Sequence, residues 1–240
     1  MTILRSAAFM VWFIVLSVAI NILCLPVLLL PRRAAKIAPW LWCTMVLAGL
    51  KYICGLDYEI RGQIPPRGAL IAAKHMSMLD AILLYHTLSD AAFVIKRSLL
   101  FIPVWGWYAW KMRMIAIDRE KGPSALRKMA AAAKESVAKG RALVIYPEGT
   151  RKKPGAEPAY KPGIAAVYGQ LGMACTPVAL NSGLFWTGFV KNRGRVTIAF
   201  LPAIPPGLSR APFMAELQDR IESATSSLLA EGRERTKNKA

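Results

Sequence analysis

The sequence predicts an α/β fold, with a mostly parallel or mixed central sheet flanked by helices, preceded by an N-terminal membrane-embedded helical element. Three observations predict it: an uncharged run over residues 6–31, short apolar β-type runs recurring from Asp57 onward, and helical periodicity between and after those runs. The 240 residues suffice for one globular domain with a sizeable core and fall short of two large ones.

Residues 6–31 exceed the roughly 20 apolar residues that cross a bilayer core. No small-residue cleavage pattern precedes Pro31-Arg32-Arg33, so the segment is expected to stay attached. Arg32, Arg33 and Lys36 outnumber Arg5 as flanking charges, which puts the following domain on the cytoplasmic face if the run spans. Pro26 can kink the run near its end. A second apolar stretch, residues 38–50 with Trp40 and Trp42, is short for a span, and a two-helix hairpin lodged in one leaflet is the alternative. Residues 1–55 thus form a membrane helix or hairpin, with the boundary near Gly55.

Residues 56–232 read as the α/β domain. Strands are expected over 58–61, 69–74, 92–96, 114–117, 142–146, 176–180 and 196–200, most of them apolar enough to be buried on both faces. Between them, residues 124–139 form a helix: Pro123 suits its start, Leu126, Met129, Ala133 and Val137 make one stripe, and Gly140 ends it. Phe213, Leu217, Ile221 and Leu228 mark a closing helix, after which residues 233–240 read as a polar basic tail.

The formal charge of +18, from 32 Lys plus Arg against 14 Asp plus Glu, attracts anionic partners. No zinc-finger spacing, basic zipper or aromatic RNA-binding signature accompanies it, so membrane lipid is favoured over nucleic acid. Cys24, Cys43, Cys54 and Cys175 contain no C-x-x-C pair and read as reduced. With only His75 and His86 as imidazoles, no metal site is expected.

Chemistry concentrates at strand ends, where sites form in α/β sheets. In Lys74-His75-Met76-Ser77-Met78-Leu79-Asp80, Ser77 can cap a helix whose first turn holds Asp80, folding the chain back toward His75. A carboxylate there can fix the tautomer and raise the basicity of the imidazole, as a general base requires. A plain helix cap beside a hydrogen-bonded turn histidine fits the same segment. In Tyr146-Pro147-Glu148-Gly149-Thr150-Arg151, Gly149 permits a tight turn and Arg151 offers a fork of donors to a phosphate, with Glu148 holding that arginine or nearby backbone. An ordinary surface turn has the same composition. Lys96 and Arg119 also follow β-type runs, placed to converge with Arg151 on a phosphate or to serve as solvated cations. Nucleophile-elbow, P-loop and dinucleotide fingerprints are absent.

In order and spacing, His75-x-x-x-x-Asp80, Ile117-Asp118-Arg119, Glu148-Gly149-Thr150-Arg151 and Thr176-Pro177-Val178 resemble the motifs of glycerophospholipid acyltransferases, of the lysophosphatidic acid acyltransferase type. The resemblance runs over about residues 57–200 and includes Lys96, Pro103, Gly106, Lys161 and Gly163. Thr176 stands where the family usually has a branched apolar residue, and Ala116 where it has a larger one. The resemblance implies His75 as base, Asp80 as its orienting carboxylate, Lys96, Arg119 and Arg151 as phosphate contacts, and Glu148, Gly149 and Thr150 as the acceptor-binding turn. It further implies an enzyme that moves a fatty acyl group from acyl carrier protein or coenzyme A to the 2-hydroxyl of 1-acylglycerol 3-phosphate, making phosphatidic acid with no resident cofactor. An O-acyltransferase for a lyso amino-acid lipid, such as lyso-ornithine lipid, and a non-catalytic protein binding anionic lipid are the other readings.

Overall fold

The computed structural model describes residues 1–88, 90–118 and 122–237. The uncharged run forms α1 (Thr2–Leu23), which ends where Pro26 enters a short 3-10 turn, Leu25–Leu29. A second helical stretch, Arg32–Cys54, is made of α2 (Arg32–Ala35), α3 (Ile37–Gly49) and a wider π turn at its end. Both stretches are long and apolar enough to cross a membrane. The second is longer than residues 38–50, because the flanking cations Arg32, Arg33, Lys36 and Lys51 lie within the helical stretch rather than outside it.

The two stretches run antiparallel. Trp42 Nε1 donates to Ser17 Oγ at 3.0 Å, Trp12 lies against Gly49, and Cys54 reaches the Arg5 carbonyl, so numbers fall along one helix as they rise along the other. A Cβ at Gly49 would overlap the Trp12 indole, which is why the helices meet closely there. One stripe of this hairpin, including Phe9, Leu16, Ile20, Val46 and Leu50, is buried in the core. The opposite side leaves Val11, Ile14, Val15, Val18, Ile37 and Leu41 exposed.

The domain carries β1 (Leu56–Arg61), β2 (Leu70–Ala73), β3 (Ala91–Lys96), β4 (Ile115–Ile117), β5 (Ala142–Ile145), β6 (Cys175–Leu180), β7 (Trp186–Thr187), β8 (Val190–Lys191) and β9 (Gly194–Phe200). The main sheet has the order β1-β9-β6-β2-β5-β3-β4, and β7 and β8 form a separate ribbon. All of its pairings are parallel except β6 with β9, so the expected mixed sheet is observed, each expected strand lying within two residues of its range. The ribbon was not expected, since strands of two residues carry no readable alternation. The centre is where the sequence is most apolar: every residue of β2, β5 and β6 is buried.

Register sets the reactive edge. Leu70 pairs with Leu143 and Cys175, Phe93 with Val144, and Lys96 with Ile117, so β2 to β6 all end on one edge. The crossovers are α4 (Leu79–Leu88), α5 (Trp105–Lys111), α6 (Gly122–Ala138) and α7 (Gly163–Leu171), with α8 (Arg210–Lys237) closing the fold. The hairpin and α4 cover one face of the sheet, while α6, α7 and the first half of α8 cover the other. Residues 233–237, expected in the tail, continue α8, because Arg235 pairs with Glu231 one turn back and with Glu59 of β1.

A buried charge cluster ties the hairpin to the sheet. Arg32 bonds both oxygens of Asp90, at 2.6 and 3.2 Å, and Arg141 Nε reaches Oδ1 at 3.1 Å while its other nitrogens hold the carbonyls of Ala91, Met112 and Arg113. Asp90→Ala leaves Arg141, 2% exposed, with an uncompensated charge. It should lower the unfolding free energy by about 3–5 kcal/mol. Chemical denaturation in detergent reads this, and a loss below about 1 kcal/mol, the range of surface pairs, contradicts it.

Candidate active site

The first turn is built by a reciprocal cap. Past β2, Lys74 N–H still bonds the Val178 carbonyl at 2.9 Å, and the chain then bends into α4. Ser77 Oγ accepts Leu79 N–H at 3.2 Å, while Asp80 in the first helical turn reaches back to accept Ser77 N–H at 2.8 Å and Met76 N–H at 2.6 Å. The same Oδ2 lies 3.0 Å from His75 Nδ1. Ser77 hydroxyl donates to Ser182 Oγ at 3.0 Å, and Ser182 donates onward to Asp80 Oδ1.

Asp80 is fully buried and accepts hydrogen bonds from these donors. Nδ1 therefore carries the proton of the imidazole and Nε2 keeps the lone pair, a tautomer assigned from the hydrogen-bond partners. The His75 side chain retains 14% exposure, so a substrate hydroxyl can approach it.

A second turn packs on the first. Gly149, at φ 67, closes a turn in which its N–H bonds the Tyr146 carbonyl at 2.9 Å. Lys152 N–H bonds the His75 carbonyl at 2.9 Å, and the Tyr146 ring stacks on the imidazole with centroids 3.9 Å apart. The Tyr146 hydroxyl is buried without a hydrogen-bond partner among the described residues. Burial pushes this phenol well above its ordinary value, the Asp80 charge adds to that, and the Arg151 charge opposes it, so both residues lie within electrostatic reach. Thr150 and Arg151 are exposed at the rim.

Glu148 does not hold Arg151. It is buried and bonds Lys74 Nζ at 3.1 Å, while the same ammonium bonds both oxygens of Glu222 in α8 at 2.7 and 2.9 Å. Tyr160 hydroxyl donates to Glu222 Oε1 at 2.9 Å. Burial raises the Glu148 carboxyl above its ordinary value, partly offset by the hydrogen bond and charge of Lys74.

Of the residues singled out in the sequence, His75, Asp80, Glu148, Gly149, Thr150 and Arg151 belong to these two touching turns. Lys96 is exposed at the same edge, but β5 and β3 follow β2 in the sheet. That puts its backbone about 10 Å away at the usual strand spacing. Alternation along β3 also turns Lys96 to the α6 side, since Phe93 and Ile95 pack with the hairpin core and Val94 with the opposite one. Arg119 lies outside the described residues.

Sequence reasoning quoted Lys74 and Tyr146 in the two turns without giving them a role, and missed the partners contributed from afar: Ser182, Tyr160 and Glu222. Asn181-Ser182-Gly183 directly follows the wholly buried β6, so the same strand-end rule pointed to Ser182. A lysine ending an apolar strand asks for a carboxylate, yet nothing local names Glu222.

Comparison with known proteins gives four concordant findings. An Acyltransferase family model matches residues 56–181, from the first residue of β1 to one residue past β6, and so includes both turns. A 1-acyl-sn-glycerol-3-phosphate acyltransferase of Pseudomonas aeruginosa is 31% identical over 194 residues, covering 79% of this chain and 76% of that protein. A Helicobacter pylori protein of the same name is 32% identical over 178 residues, covering 71% and 73%. The crystal structure of the 1-acyl-sn-glycerophosphate (LPA) acyltransferase, PlsC, from Thermotoga maritima shares the fold with a TM-score of 0.76, over 95% of this chain and 98% of that one, at 18% identity.

The Lys74 network makes its own prediction. Lys74→Met strands the buried Glu148 carboxylate and should cost about 3–5 kcal/mol of stability. Adding Glu148→Gln should restore part of that loss, and strictly additive effects in the double-mutant cycle would show that the two side chains are not coupled.

Proposed function

The chain belongs to the acyltransferase family, and on that premise we propose that it transfers a fatty acyl group from a thioester donor to the free 2-hydroxyl of 1-acylglycerol 3-phosphate, making phosphatidic acid. The observation that carries the reading is the 3.0 Å contact of His75 Nδ1 with the buried Asp80 carboxylate, which leaves Nε2 as a base at the sheet edge.

His75 Nε2 takes the proton of the acceptor hydroxyl as its oxygen attacks the thioester carbonyl. The Nδ1–H bond to Asp80 stabilises the imidazolium that forms. When the tetrahedral intermediate collapses, the carbon–sulfur bond breaks and Nε2 returns the proton to the leaving thiolate. The acyl group is already activated, so the chemistry needs neither metal nor resident cofactor, only positioning, charge stabilisation and exclusion of water. Tyr146, stacked on the imidazole, restrains the ring plane.

Arg151, at the rim and close enough to act on Tyr146, supplies a cation for the acceptor phosphate, and Gly149 and Thr150 shape the turn beside it. Arg119 is assigned the outer part of the same anionic substrate, and the expectation that Lys96 joins it does not fit a side chain turned to the α6 face two strands from the base. The donor is acyl carrier protein or coenzyme A; both are anionic, and a chain of net charge +18 attracts either.

The two apolar N-terminal helices associate the protein with membrane. Because the hairpin buries one stripe against the sheet and exposes the other, it is read as lying in one leaflet with the domain at its surface. Arg32, Arg33 and Lys36 favour the cytoplasmic side.

His75→Ala should lower kcat by about 100-fold or more while membrane association is kept, as measured by thiol release from acyl donors with defined lysolipids. Retention of over about a tenth of the activity removes His75 as base. Arg151→Ala should raise the acceptor KM about 10- to 100-fold, the worth of a charge-assisted hydrogen bond, with kcat nearly kept. An unchanged KM ends that assignment.

A further inference from the structure

The segment between β3 and β4 presents an aromatic surface that neither the core nor the proposed chemistry uses. A short 3-10 turn, Arg97–Phe101, leads into α5, and Phe101, Trp107 and Trp110 stand out at 75%, 55% and 73% exposure, with Ile102 and Trp105 beside them. A water-facing surface rarely gathers so many large apolar side chains within ten residues.

This knob is preformed. Gly106 N–H bonds the Ile102 carbonyl at 2.8 Å, and a Cβ at Gly106 would overlap the Leu100 carbonyl, so turn and helix meet backbone to backbone. Val104, β-branched and at φ 61, holds a conformation that only its surroundings can enforce. Tyr108 and Ala109 are buried underneath. The aromatic rings are therefore held outward by structure on both sides.

Position and charge together select the occupant. The knob adjoins the bend of the hairpin, where Tyr108 hydroxyl donates to the Asn21 carbonyl at 3.4 Å and α5 packs on the Leu25–Leu29 turn, itself bearing the exposed Leu29. It is thus continuous with the most lipid-compatible part of the chain. Arg97 flanks it on one side and Lys111 on the other, cations suited to lipid phosphates. Tryptophan, with an apolar ring and one N–H donor, is the side chain of headgroup depth.

We propose that residues 97–111 are a second membrane-contact element, which seats Phe101, Trp107 and Trp110 in the interface of an anionic bilayer with Arg97 and Lys111 against its phosphates. The segment starts at the sheet edge that carries His75 and runs back to the hairpin bend. Attachment by hairpin and knob together holds that edge at the interface, where the hydroxyl of a lysolipid lies, while the hairpin alone leaves the domain free to rock. The inference rests on the membrane reading of the hairpin, and not on the acyl transfer itself.

The test uses the full-length protein in phosphatidylcholine–phosphatidylglycerol vesicles whose acyl chains carry bromine near the headgroup. Tryptophan emission is compared for the wild type, Trp107→Phe, Trp110→Phe and the double variant; phenylalanine keeps the apolar surface, so fold and basal turnover are retained. The expected result is loss, on substitution, of emission that brominated lipid quenches and aqueous iodide does not. The proposal is overturned if the lost emission is quenched by iodide and spared by brominated lipid. It is equally overturned if that emission is shielded only when a soluble acidic acyl carrier is added. Quenching needs no turnover, so failure here leaves the acyl-transfer reading standing, and a failed transfer assay leaves this one.

Discussion

A carboxylate with no exposed surface organises the reactive edge of this protein. Asp80 sits where an unsatisfied charge would cost several kcal/mol on any scale. Three N–H groups and one hydroxyl offset that cost, and each comes from a different fixed point: the backbone at Met76, the backbone at Ser77, the His75 ring and the Ser182 side chain past β6. The orientation of the imidazole is thus a consequence of satisfying a buried charge. A histidine held this way keeps one tautomer and offers one lone pair, which is what proton removal from an alcohol requires.

That edge has two chemically distinct sides. His75 and Tyr146 lie with the hairpin core, and the hairpin turns its other stripe outward, so the base sits on the half of the molecule that bears the exposed apolar stripe. Lys74, Glu148, Glu222 and Tyr160 form a polar cluster toward α8. Lys74 and His75 are consecutive and alternate to opposite faces, so one strand end anchors the charge network on one side and presents the base on the other. The aromatic knob of α5 extends the exposed apolar half and leaves the polar half untouched.

What could be read in the sequence follows from the range of each interaction. The strands were legible because β2, β5 and β6 are short apolar runs bounded by polar turns, and α6 and α8 because their stripes repeat at helical spacing over several turns. The ribbon and α5 were not, being too short for any period. The second apolar helical stretch was underestimated because its flanking cations broke the apolar run without breaking the helix. Closeness of His75 to Asp80 was readable since a capping turn spans five residues, whereas the Lys74–Glu222 pair spans 148 and leaves no local trace.

By itself the sequence determined the local matters: an uncharged N-terminal run long and apolar enough to cross a membrane, a mixed α/β body, and a histidine and a carboxylate one turn apart at a strand end. Only the tertiary structure decided that Glu148 belongs to Lys74 and not to Arg151, that Tyr146 stacks on the imidazole, that Ser182 completes the Asp80 shell, and that Lys96 stands two strands from the base. The reason is physical. Propensity and periodicity act between residues a few positions apart, but strand order and register choose which distant side chains share a dry interior, and there a charge must find whatever partner the topology brings within 3 Å.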